Sequence, residues 1–204
     1  PDPQMDLGVH LAVFYSHPVW LIRRWLERYG LEGTVQICQA NNRPPPLTIR
    51  TNTVLIDRES LKQALQRERV TVDECLLAPE GLHIHSPVPI FNLSAFRQGW
   101  FHVQDESSIL ISHLLAPRPG ERILDACAGS GGKTTHLAQL MENQGEVWAL
   151  DVQDGRLKSL EEACRRLQIN IVRTQVQDVT ERRIGVGEFD AILVDAPCSG
   201  LGVV

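Results

Sequence analysis

The sequence of 204 residues is short of several things, and each shortage excludes a class of protein. No apolar run approaches the roughly 18 residues that a membrane helix needs, and the first residues show no basic segment leading into an apolar one. A soluble, unsecreted, cytoplasmic monomer with no membrane partner is expected. Cysteine is sparse: Cys38, Cys75, Cys127, Cys164 and Cys198 are odd in number, scattered and without CxxC spacing. They suggest neither a disulfide framework nor a zinc site, and no metal is expected. Positive charge is also in deficit, with 20 Lys and Arg against 25 Asp and Glu and a formal net charge of −5. A polyanion partner must therefore be held by local clusters such as Arg23, Arg24 and Arg28, for which a solvated helix face is the plainer reading. What remains, 43% hydrophobic and 22% charged, is ordinary globular composition, so disorder is excluded as the default.

What is present is organised around residues 121–135, ERILDACAGSGGKTT. A short apolar strand (122–125) runs into a small-residue loop (126–132), and a helix follows from about Lys133. Gly129, Gly131 and Gly132 let backbone approach a ligand, and the N–H groups of the helix start point at it. Before this stretch the pattern predicts a tail over 1–12, with breakers and no periodicity through Gly8. A helix follows, capped by Ser16 and carrying Trp20 and Trp25 as core; it runs to Gly30, and a second helical piece covers 35–40. Strands over 47–53, 70–76, 82–85 and 100–103, with a helix capped by Asp57, make a small α+β domain over 13–103. His83 and His85 share one strand face, but no third ligand type lies near them in sequence, so a satisfied surface pair is expected.

Helices are predicted over 106–115, 134–142 and 154–167, alternating with strands over 147–150, 171–176 and 189–194. That alternation means βαβ crossovers and a parallel sheet over 104–204, with ligands bound outside the carboxyl ends of its strands. Asp151, Asp178 and Asp195 all fall at those ends.

Three nucleotide ligands compete for the loop. A P-loop would place its first glycine at Cys127, although Gly132-Lys133-Thr134 fits its second half. A dinucleotide fingerprint fits Gly129 and Gly131 but finds Thr134 in place of its last glycine, with Asp151 well placed for a ribose diol. S-adenosylmethionine wants the same ribose carboxylate and a polar group on adenine, met by Asp151 and Asp178, and only small residues around its methionine end. The strand-four segment Asp195-Ala196-Pro197-Cys198-Ser199-Gly200 separates the last two readings, because it sets a carboxylate and a thiol where a substrate base would enter. Carbon 5 of a pyrimidine becomes nucleophilic only after a thiolate adds at carbon 6, and an acid such as Asp195 can hold the ring nitrogen and amine of a cytosine.

Gln104-Asp105, LDACAGSGGKTTH, ALDVQDGRL, Asp178 and DAPCSGLG together resemble the Sun-type RNA cytosine-5 methyltransferases, and RTNT (50–53) resembles the small domain that precedes their catalytic domain. The resemblance covers nearly the whole chain. It implies an α/β, Rossmann-like S-adenosylmethionine-dependent methyltransferase sheet, incomplete here, preceded by a small α+β RNA-recognition-like domain. It also implies S-adenosylmethionine bound by Cys127, Ala128, Gly129, Ser130, Gly131, Gly132 and Lys133, with Asp151 on the ribose, Asp178 near the adenine, Arg156 in support and Asp195 at the junction with the base. Ser130 stands where the family carries proline. The family's two-cysteine scheme gives Cys198 a part in product release and places the main nucleophile beyond Val204; Cys198 as nucleophile is the minor form. A C-terminally truncated enzyme is expected, inactive alone, with ribosomal RNA as partner. The non-enzymatic alternative is an RNA-binding module with a degenerate cofactor pocket.

Overall fold

The computed structural model describes residues 6–181 and 187–198. Residues up to Pro45 form one compact unit and Pro46–Pro197 another, with Cys198 grouped with the first.

The first unit opens on helix α1 (Leu7–Tyr15), capped by Asp6, whose carboxylate accepts the Val9 N–H at 3.1 Å. Residues 7–12 are therefore helical rather than tail. The segment LGVHLAVFY is apolar almost all round, so it offers no polar face from which a period can be read. Ser16, predicted to start the next helix, instead ends α1 in the left-handed conformation at φ 58°. Helix α2 (Val19–Asn41) joins the two predicted pieces, which meet at a kink where Gly30 takes φ 68°. Leu11, Ala12, Ile22 and Cys38 make the core, with Trp25 packed against them and edge-on to His17. Trp20 is exposed instead, and Arg23 pairs with Asp6 at 2.7 Å.

The second unit contains two sheets. β1 (Leu47–Thr51), β2 (Val72–Glu74), β3 (Gly81–Ile84) and β4 (Phe101–Val103) pair antiparallel in the order β2-β3-β1-β4. Helix α3 (Arg58–Arg67), capped by Asp57, covers this sheet with Leu61 and Leu65 over Ile49, Leu82 and Phe101; a short helix α4 (Ser94–Arg97) lacks any sequence signal. After α5 (Glu106–Leu115) come β5 (Arg122–Asp125), α6 (Gly132–Leu140), β6 (Glu146–Asp151), α7 (Asp154–Leu167), β7 (Val172–Val176) and β8 (Ala191–Leu193). These strands are all parallel, in the order β7-β6-β5-β8, over a core that includes Ile123, Leu137, Met141, Val147, Leu160 and Leu167.

Within the second unit, buried polar side chains fasten the small sheet to the helices of the parallel one. Arg50, wholly buried on β1, donates to the Gly132 carbonyl at 2.7 Å, Thr135 Oγ1 at 3.0 Å, Gln139 Oε1 at 3.2 Å and Gln104 Oε1. Asn52 donates to the carbonyls of Gly99 and Leu167, and Arg166 donates to those of Phe96 and Phe101 while lying 3.8 Å over the Phe96 ring. Burial pulls the Arg50 guanidinium down to about 9, with Glu80 opposing and Arg166 reinforcing, so it remains charged at neutral pH.

Candidate functional site

The loop after β5 is held on both sides. The Ala128 N–H bonds the Leu150 carbonyl at 2.8 Å, and the Gly129 N–H bonds Asp151 Oδ2 at 3.0 Å. Gly131, at φ 91°, caps α6; a Cβ there would lie 2.2 Å from Leu160 Cδ1, so only glycine fits. Ser130 is exposed at the loop tip, and neither fastening involves its side chain. The loop is thus anchored without the rigid proline of the family pattern. Cys127 is half-buried, and burial pushes its thiol up, with Asp125, Asp151, Asp195 and Asp178 adding to the effect.

Asp151 ends β6 almost fully buried. Its Oδ1 accepts the Gln153 N–H at 2.8 Å, while Arg156 stands 3.8 Å from Oδ2. Two lone-pair sites of the four are taken, which leaves capacity for a diol. Asp178 lies two residues past β7; its Oδ1 accepts the backbone N–H and hydroxyl of Thr180, and the backbone bond holds its carboxyl below the usual range. It lines an open depression with Val152, Gln175, Val176, Gln177 and Glu181. Motif reading missed these neighbours, because polar and aliphatic residues at strand ends carry no spacing signal.

Asp195, two residues past β8, is more than half exposed and pairs with Lys133 Nζ at 2.5 Å. Asp125 differs from the other strand-end acids. Burial pushes its carboxyl up to about 6 against the hydroxyl of Thr134, which donates to Oδ2 at 2.7 Å. The structure therefore brings the loop, Asp151 and Arg156 together, and ties Lys133 to Asp195. Cys198 is exposed, and Ser199 and Gly200 lie outside the described residues. Cys38, Cys75 and Cys164 are buried among core side chains.

Two family models match this chain: the 16S rRNA methyltransferase RsmB/F model over residues 112–204, and the ferredoxin-like domain of the same RsmF/B-like proteins over residues 17–91. The chain belongs to the RsmB/F methyltransferase family. It is 38% identical over 198 residues to a probable ribosomal RNA small subunit methyltransferase B of Bacillus subtilis, covering 95% of this chain and 44% of that protein. A human 28S rRNA (cytosine(4447)-C(5))-methyltransferase is also 38% identical over 196 residues, covering 95% of this chain and 24% of its own length. The crystal structure of a methyltransferase homologue from Pyrococcus horikoshii superposes with a TM-score of 0.87 at 30% identity, covering 97% of this chain and 65% of that one. The chain spans less than half the length of these curated relatives. RsmB/F membership explains why an antiparallel sheet precedes the parallel one. Among the described residues no helix is long and apolar enough to cross a membrane.

Proposed function

We propose that the protein transfers a methyl group from S-adenosylmethionine to carbon 5 of a cytosine in ribosomal RNA. The observation that carries this reading is the seating of the loop on Asp151: a strand-end carboxylate holds the Gly129 N–H while keeping lone pairs for a ribose. The relatives' names support ribosomal RNA and cytosine C5 as substrate and target. In this reading the loop from Cys127 to Lys133 receives the methionine end, Arg156 steadies Asp151, and Asp178 receives the adenine amine in the open depression. Residues 13–103 position the RNA and residues 104–204 belong to the catalytic half.

In this reading a thiolate would add to carbon 6 of the flipped base, carbon 5 would then take the sulfonium methyl of S-adenosylmethionine with S-adenosylhomocysteine as the leaving group, and loss of the carbon 5 proton would expel the thiolate. Asp195, oriented by Lys133, accepts from the exocyclic amine of the base. Cys198 assists the elimination, and a thiol beyond Val204 makes the attack.

Calorimetric titration of S-adenosylmethionine tests the cofactor part. Asp151→Ala should weaken binding roughly 10- to 100-fold, the worth of one or two charged hydrogen bonds, and NAD should not bind. Equal affinity in the variant would remove Asp151 from the site. Tritiated-methyl transfer to small-subunit rRNA by a chain extended past Val204, read at carbon 5 of cytosine, tests the rest.

A further inference from the structure

We propose that Glu80, His113 and His136 form a zinc-binding site that clamps the turn before β3 to helices α5 and α6. The three come from separate elements of one unit. Their positions, 33 and 23 residues apart, make no recognisable spacing, which is why no metal is expected from sequence.

In the fold, His113 Nε2 lies 2.9 Å from Glu80 Oε1 and 3.0 Å from Oε2, and His136 Nε2 lies 2.5 Å from Oε1. The three ligand atoms all fall within 4.8 Å of one another, with the two imidazole rings edge to face at 5.2 Å. His136 is wholly buried, and its Nδ1 has no hydrogen-bond partner.

Two imidazoles and one carboxylate suit zinc, whereas calcium and magnesium prefer all-oxygen sets. Tetrahedral bonds of about 2.0–2.1 Å would set ligand atoms roughly 3.3 Å apart, so the separations from Glu80 to the two imidazoles need open by less than about 1 Å, and the two imidazole nitrogens, within 4.8 Å of each other, need close by no more than about 1.5 Å. Glu80 is 5% exposed and the His113 side chain 33%, so the site has one wet side, where water can take the fourth position.

The neighbouring group Cys75, His83 and Glu106 is satisfied without an ion. Glu106 Oε1 accepts the N–H groups of Leu77 and Ala78, and His83 Nδ1 lies 3.0 Å from Thr48 Oγ1. Burial also pushes the Cys75 thiol up to about 11.

Chelator-stripped protein titrated with cobalt(II) should give the visible bands of a four-coordinate site at one equivalent, without a thiolate charge-transfer band, and one equivalent of zinc should displace them. His113→Gln, at a partly exposed position where folding is safe, should lose at least tenfold in zinc affinity with an unchanged far-ultraviolet circular dichroism spectrum. Cys75→Ser should bind as the parent does. Absence of stoichiometric binding, equal affinity in His113→Gln, or a thiolate band abolished by Cys75→Ser would each overturn the assignment.

Discussion

The seam around Arg50 and the rim around Asp151 use the same kinds of side chain in opposite circumstances. At the seam a guanidinium is sealed from water among four oxygen acceptors, with Asn52 and Arg166 beside it on backbone carbonyls. At the rim Asp178 and Asp195 stand open to solvent, and Asp151 sits just beneath with lone pairs to spare. A buried polar group without its partners bears the full desolvation cost, while an exposed one can turn to water. The seam is therefore where substitutions should unfold the protein, and the rim is where they should change what binds. The two regions meet at Gly132, whose carbonyl accepts from Arg50 while its chain neighbours Gly131 and Lys133 belong to the loop.

The strongest break of that contrast is Arg50→Ala. It removes the donor shared by four buried oxygens and leaves a large void, and should cost about 3–5 kcal/mol, read from the urea midpoint. Arg50→Lys should recover little, since an ammonium cannot span the same fork of acceptors. A denaturation midpoint unchanged in Arg50→Ala would mean that the seam is no clasp.

Gly131→Ala should come next, at about 1–3 kcal/mol, because it forces both a strained φ and a displacement of buried Leu160. Its thermal midpoint should fall together with S-adenosylmethionine affinity, which makes it the one rim position that behaves like the seam.

The seam should also respond to pH through His102, whose imidazole is pulled down to about 3 by burial, with the Arg50 and Arg166 charges adding to the effect. With the folded pKa below the unfolded value of about 6.5, the contribution is complete above pH 6.5 and is lost as pH falls toward 3. The slope is at most about 1.4 kcal/mol per pH unit for one proton. His102→Asn should flatten stability measured between pH 7 and pH 4, and an unchanged slope would remove His102 from the seam's electrostatics.

Lys133→Ala should have the smallest effect on stability, no more than about 1 kcal/mol, because its partner Asp195 is more than half exposed. In the chain extended past Val204 its expected consequence is instead a loss of methyl transfer through a wandering Asp195, so a large fall in melting temperature would argue against that assignment.

The parallel half was the most legible part. Strands of the β5 and β6 kind read as short apolar runs, and each delivers its acid to the carboxyl end because register carries the chain there whatever the surroundings. Helix α1 was illegible for the opposite reason: with apolar residues on nearly every face it shows no period. Ser16 was misread because a serine can stop a helix or start one, and only the left-handed backbone that follows Tyr15 decides between them. Trp20 was misassigned because helical spacing says which residues share a face but not whether anything covers that face.

The sequence by itself determined the alternation of strand and helix, the glycines of the loop, and the acids that follow each parallel strand. These are local matters, fixed by period, turn chemistry and chain connectivity. Only the tertiary structure decided that Arg50 is a buried clasp rather than a surface cation, that Asp125 is buried against Thr134 while Asp151 keeps capacity for a ligand, and that Glu80, His113 and His136 meet. Burial and long-range partners settle such questions, and residues more than twenty positions apart leave no trace of them in the spacing.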